Sequence, residues 1–213
     1  MEKELEPQAS GAGWNVSSPL LEKLVLASTS PRRAEILRIV GWPFEASAID
    51  VDESRRSSED AVTYVERLAR AKAEAAAHHH PSAVVLGADT VVVVDGRILG
   101  KPRDQLEAQD MLRLLSGRWH EVLTGVAVMR TGEKARHLIA HETTRVHFAQ
   151  MSDEEINWYV ATGEPMDKAG AYAIQGRAAL FIKEIEGDYW NIVGLPVRLA
   201  YELACEMKNR PEE

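Results

Sequence analysis

Asp89 is the residue whose setting most demands a chemical explanation. It lies within VVLGADTVVVV (Val84–Val94), an otherwise unbroken apolar run. A carboxylate is costly to bury in such a run unless it is paired or metal-bound. Two readings fit. Asp89 acts on a ligand that the small neighbours Gly87 and Ala88 allow to approach closely, or it closes a bulge through a local hydrogen bond. A second grouping is Ser28, Ser30, Arg32 and Arg33 in LVLASTSPRRAEIL (Leu24–Leu37). These hydroxyl and guanidinium groups gather where a short strand runs into a helix. A helix N-terminus leaves unpaired N–H groups and a partial positive charge, and arginines there are unfavourable unless a polyanion sits among them. The same residues also fit a capped surface helix with solvated arginines. Lys72 interrupts the apolar order of an alanine-rich helix, as a cation for a site or as a snorkelling lysine. Lys101, in Gly100-Lys101-Pro102, is a rigidly held cation after a strand or a solvated turn residue.

The elements that must position these groups alternate. Leu24–Ser28 reads as a strand, followed by a helix with Ser30 as N-cap and Pro31 at its first position. Pro43 to Ile49 reads as a strand. A helix capped by Ser57 or Ser58 then runs to about His78 on a stripe of Val62, Val65, Leu68, Ala69, Ala73 and Ala76. The Val84–Val94 strand turns at Asp95-Gly96 into Arg97-Ile98-Leu99. Asp104 and Glu107 start a helix ending at Gly117, and His120–Arg130 and His137–Phe148 form two strands. Ser152 with Glu155 caps a short helix, and Ala179–Val193 reads as a hairpin turning at Glu186-Gly187-Asp188. A last helix starts at Pro196 and ends in a fraying NRPEE. Helices interleaved with hairpins predict an α/β fold with a mixed sheet in one domain, residues 21–208. Residues 1–20 read as a disordered tail, with Trp14 docking back. His78-His79-His80 cannot converge on one ion from a helix, because successive side chains point about 100° apart.

The 213 residues carry a net charge of -8, which argues against a nucleic-acid partner, so any polyanion site must be a local positive pocket. The single cysteine, Cys205, excludes an internal disulfide, suits a reducing cytoplasmic setting, and reads as a buried, inert thiol. No apolar run has transmembrane length, which predicts a soluble protein without a membrane partner. G-x-x-x-x-G-K-[ST], a strand-borne G-x-G-x-x-G and H-E-x-x-H are all absent, so P-loop, dinucleotide-binding and zinc-hydrolase readings have no support.

ASTSPRRAEIL resembles the N-terminal signature of the Maf family of nucleoside triphosphate pyrophosphatases. GADT (Gly87–Thr90), GKP (Gly100–Pro102), HEVLTG (His120–Gly125), GEPMDKAGAYAIQG (Gly163–Gly176) and NIVGLP (Asn191–Pro196) continue the resemblance in family order from about Lys23 to Cys205. It implies an inosine triphosphate pyrophosphatase-like fold of two lobes around a central cleft, and it suggests a homodimer. It also implies hydrolysis of a small-molecule nucleoside triphosphate between its α- and β-phosphates, with Asp89 as general base. Such chemistry needs positive charge, for which Ser28, Arg33, Lys72, Lys101 and Lys168 are the phosphate-binding candidates, Lys168 by family position. It usually needs a divalent cation, Mg²⁺ or Mn²⁺, for which Glu53 and Asp89 offer oxygen ligands.

The family includes a dTTP/UTP group and a 7-methyl-GTP group that differ at three positions. Arg32, Thr90 and Gln175 match the dTTP/UTP type, where the other group carries Trp, Gln and Glu. Gln175 has a physical case of its own, since a carboxamide both donates and accepts and so matches the O4/N3–H edge of uracil or thymine. The competing expectations are 7-methyl-GTP hydrolysis and a nucleotide-binding regulator of septum formation without significant hydrolysis.

Overall fold

The computed structural model describes residues 21–132 and 135–209. The expected N-terminal tail with Trp14 and the C-terminal fraying beyond Asn209 lie outside the described residues. Strands β1 (Leu24–Ala27), β2 (Phe44–Ser47), β3 (Val84–Val94), β4 (Arg97–Leu99), β5 (Trp119–Arg130), β6 (Arg136–Phe148) and β7 (Ile182–Glu186) form one mixed sheet. The order is β2-β1-β3-β5-β6-β7, with β4 added on β3. The parallel pairs, β1 with β2 and with β3, are those joined through helices α1 (Pro31–Ile39) and α2 (Ala61–Ala77). Pairs β3–β4, β3–β5, β5–β6 and β6–β7 are antiparallel. This is the expected mixed α/β architecture.

The register of β3 creates the feature on which the site depends. On one edge β3 pairs with β5 from Val84 to Val93. On the other edge β1 partners it only from Val84 to Gly87, and β4 only from Val92 to Val94. Ala88–Val91 therefore lies in a gap between two short strands. Side chains alternate across a strand, so Asp89 and Thr90 project to opposite faces at this open edge.

Helix α2 covers one face, burying Val65, Leu68, Ala69, Ala73 and Ala76. It sits unusually close. A Cβ on Gly87 would fall 2.2 Å from the Ala69 carbonyl oxygen, and one on Gly125 would fall 2.3 Å from that of Val65. Gly87 thus admits the helix, rather than the substrate expected beside Asp89. Asp60, not Ser57 or Ser58, caps α2, its carboxylate accepting from the Thr63 amide at 2.7 Å. Ser58 has φ 63°, incompatible with the extended conformation of an N-cap.

Helices α3 (Gln105–Leu115) and α4 (Asp153–Ala161) pack around Leu112, Phe148, Ile156 and Tyr159, while α1 and α6 (Val197–Asn209) pack around Leu26, Ile36 and Leu195. The cleft is lined from both groups, by Val92 and Tyr172 of the first and Val193 of the second. Ser152 and Glu155 form the expected capping box on α4. At α3, Asp104 caps the Glu107 amide, but Glu107 accepts from the amide of Arg103 instead of Asp104. The expected 179–193 hairpin is absent. Gly187 does turn the chain, but Asp188 accepts from the Trp190 amide at 2.8 Å and starts helix α5 (Tyr189–Val193), leaving β7 to pair with β6. Cys205 is half-buried on α6, less enclosed than its apolar surroundings suggested.

Candidate active site

A cavity of about 750 Å³ opens at the β3 gap, of a size usual for small-molecule sites. All ten of the candidate residues line it. Asp89 is 8% exposed. Across from it, Lys72 descends from the closely seated α2 and places Nζ 2.6 Å from Asp89 Oδ1 and 2.6 Å from Glu53 Oε1. Lys72 is thus no snorkelling lysine but a bridge between two carboxylates. Tyr64, one of the residues not foreseen, donates to the Glu53 carbonyl at 2.8 Å and steadies that side of the cavity.

Burial pushes the Asp89 carboxyl above its ordinary range, and Lys72 and Arg33 pull it only part of the way back. Burial also raises Glu53, but the Lys72 hydrogen bond and charge, helped by Lys101 and Arg33, outweigh it and leave that carboxyl low. Two carboxylates about one ammonium ion therefore have opposite proton affinities. The one deeper in the protein is the better base.

On the other face of β3, Arg33 is buried and organises a second network. Its Nε donates to the Gly194 carbonyl at 2.8 Å, one terminal nitrogen to Ser28 Oγ at 3.1 Å, and the other to Thr90 Oγ1 at 3.0 Å. Thr90 Oγ1 lies 2.9 Å from Thr124 Oγ1, its cross-strand partner. Burial lowers the Arg33 pKa, opposed by the Asp89 charge. Ser28 Oγ also accepts from the Ser30 amide at 3.1 Å, while Ser30 makes no side-chain cap. Arg33, Ser28 and Thr90 thus form a packed frame within the cavity wall, tying α1, β3 and the Gly194 turn together.

At the mouth, Arg32 pairs with Asp167 at 3.4 Å, and Lys168 pairs with the same carboxylate. Burial raises the Asp167 carboxyl, but the Lys168 hydrogen bond and charge and that of Arg32 more than offset it. Asp167 was not singled out in the sequence, though it adjoins Lys168 in the same block. Val92, Val122, Tyr172, Ile174 and Ile192 supply an apolar wall, and Gln175 stands exposed at its rim.

Among the described residues there is no group of three or more His, Cys, Asp or Glu able to hold a metal ion. Glu53 and Asp89 nonetheless have oxygens within about 5 Å of each other through the shared Lys72 nitrogen. Two carboxylates at that spacing fit a hard cation that arrives with phosphate oxygens and water, not an all-protein cage. No helix among the described residues is long and apolar enough to cross a membrane.

An α/β sheet whose broken edge exposes one buried carboxylate, ringed by cations and an apolar wall, defines a protein built to act on a small organic polyanion. The chain belongs to the Maf family, and the model for Maf-like proteins matches residues 23–207. It is 56% identical over 186 residues to a dTTP/UTP pyrophosphatase of Symbiobacterium thermophilum, covering 87% of this chain and 94% of that one. A dTTP/UTP pyrophosphatase of Pelotomaculum thermopropionicum is 53% identical over 181 residues, covering 84% and 94%. Among solved structures the Staphylococcus aureus Ham1 protein shares the fold with a TM-score of 0.51 at 14% identity, covering 87% of this chain and all of that one.

Proposed function

We infer that this chain hydrolyses nucleoside triphosphates between the α- and β-phosphates, with dTTP and UTP preferred, releasing a nucleoside monophosphate and diphosphate. The observation that carries the reading is the Lys72 bridge, which fixes the buried Asp89 carboxylate in a cation-lined cavity. The names and closeness of the relatives support it, as do Arg32, Thr90 and Gln175.

Asp89 takes a proton from water as the water oxygen bonds to the α-phosphorus. The bond from that phosphorus to the bridging oxygen breaks, and diphosphate leaves. The proton affinity of Asp89, raised by burial, suits a general base. Arg32, Lys101 and Lys168 neutralise the polyphosphate, with Arg32 and Lys168 exchanging Asp167 for phosphate oxygens. Glu53 and Asp89 would hold Mg²⁺ or Mn²⁺, which supplies Lewis-acid neutralisation of charge at phosphate. The apolar wall at Val122, Tyr172 and Ile192 gives the base a dry surface, and the Gln175 carboxamide matches the O4/N3–H edge. The single cysteine suits a cytoplasmic enzyme.

The test is diphosphate release from a panel of triphosphates with Mg²⁺, Mn²⁺ or EDTA, for the native protein and Asp89→Asn. Metal-dependent release peaking on dTTP and UTP, and lowered on the order of 10²-fold or more in Asp89→Asn, is expected. A peak on 7-methyl-GTP would overturn the substrate assignment. Nucleotide binding without release would overturn the enzymatic reading.

A further inference from the structure

Gln175 reaches the cavity rim on a tight turn whose two ends are tied to the same pair of side chains. The turn is closed by the Gly176 amide donating to the Ala173 carbonyl at 3.0 Å. Before it, the Ala173 amide donates to Tyr159 Oη at 3.2 Å. After it, the Arg177 amide donates to both Glu164 carboxylate oxygens, at 3.0 and 3.1 Å. Tyr159 Oη in turn donates to Glu164 Oε1 at 2.9 Å, which joins the two anchors. Tyr159 is fully buried on α4. Burial above all, with the Glu164 carboxylate, holds its phenol above the usual range, so it remains an O–H donor. Neither Glu164 nor Tyr159 lines the cavity.

Glu164 comes so close to the turn that a side chain at Gly176 would push its carboxylate aside. A Cβ on Gly176 would fall 2.2 Å from Glu164 Oε1. The Glu164 amide donates to Thr162 Oγ1 at 3.2 Å, fixing the residue at its own end. An exposed glutamine on a free loop would lose side-chain and backbone freedom on meeting a base. Here the backbone part of that freedom is already removed.

We propose that Glu164, with Tyr159, is a positioning residue that sets the orientation of Gln175 and thereby the enzyme's discrimination among pyrimidine bases. This rests on the assignment of Gln175 as the residue that reads the base. Glu164 touches neither substrate nor phosphate. It acts on the ratio of kcat/KM for UTP over CTP, because those substrates differ at the edge Gln175 addresses.

The experiment is a double-mutant cycle on that ratio, with Glu164→Ala, Gln175→Ala and the double variant, each with its melting curve. Glu164→Ala lowers the ratio about 3- to 10-fold, the worth of one misplaced hydrogen bond, chiefly through KM for UTP. In the Gln175→Ala background it has no further effect on the ratio. Glu164→Gln keeps a carbonyl acceptor at the Oε1 position and restores most of the discrimination. Tyr159→Phe, which loses the anchor on Ala173 without losing the ring, lowers it, and gives the same readout should Glu164→Ala fail to fold. Equal losses on UTP and CTP, or an undiminished effect of Glu164→Ala without Gln175, overturn the proposal alone. An unchanged ratio in Gln175→Ala overturns the assignment of Gln175, and this proposal with it.

Discussion

Replacing Gly87 by alanine tests whether the seating of α2 on the sheet sets the catalytic geometry. The added methyl would lie 2.2 Å from the Ala69 carbonyl oxygen and 2.8 Å from the Ala73 amide nitrogen, both backbone atoms that no rotamer change can move aside. Ordinary contact begins near 3.4 Å, so α2 must lift by about 1 Å. Lys72 leaves that helix between those two residues, and its nitrogen is 2.6 Å from Asp89. The lift stretches the pair beyond good hydrogen-bonding distance. Overpacking of this kind costs about 1–3 kcal/mol, which at about 2–4 °C per kcal/mol lowers the melting temperature by roughly 2–12 °C. A displacement of about 1 Å at a catalytic constellation costs on the order of 10²-fold in rate. Diphosphate release is measured at a temperature where both proteins are folded, alongside the melts. A variant that melts early yet keeps native kcat/KM when folded refutes the link between helix seating and the Lys72–Asp89 contact. A variant that changes neither refutes the packing argument itself.

Two other perturbations act through charge. Lys72→Met removes the strongest influence holding down the Asp89 carboxyl while leaving its burial in place. Asp89 then stays protonated to higher pH, so the acid limb of the kcat/KM profile moves upward; an unmoved limb would count against Asp89 as the base. His120, at 2.8 Å from Tyr172 Oη, is lowered by burial to about 3 from 6.5. Between those values the unfolded chain binds a proton that the native state refuses, so stability falls as pH falls, by at most ~1.4 kcal/mol per pH unit. His120→Gln flattens that slope, read as denaturant midpoints at pH 7 and pH 5, and equal slopes in the two proteins would show that His120 is not the group responsible.

The central strand and its carboxylate were legible because a long β-branched run interrupted by one aspartate has few other meanings. The ordered blocks, read by resemblance, pointed to Ser28, Arg32, Arg33, Asp89, Thr90, Lys101, Lys168 and Gln175, while Glu53 and Lys72 stood out by residue type in their own segments, and all ten line one cavity. What each does inside it was less legible. Whether Arg33 meets phosphate or frames the wall depends on Gly194, 161 positions away, and no local pattern encodes that bond. Lys72 read equally well as a solvated stem, because its partners Glu53 and Asp89 come from separate elements. Glycine in Gly87 signals close approach, but not by what. The turn at Gly187 was visible, yet a turn does not specify whether a strand or a helix comes next, and only the Asp188 cap makes it a helix. Ser57, Ser58 and Asp60 are all good capping types, and only the bond from the Thr63 amide to Asp60 decides among them.

The gap along β3 also says how such a site can change. Its aperture is a number of residues, the four from Ala88 to Val91 left between the ends of β1 and β4, or about 13 Å at the usual rise per residue. Lengthening β4 by a pair of residues would narrow the opening and draw Gly100 and Lys101, which follow β4 and line the cavity, into the sheet. Inserting one residue between Gly87 and Asp89 would do the reverse. The aperture would widen by one step, but Asp89 would turn to the Arg33 face and Thr90 to the Lys72 face, exchanging base and frame at once. Even-numbered changes in this strand adjust the enzyme, and odd-numbered ones abolish it.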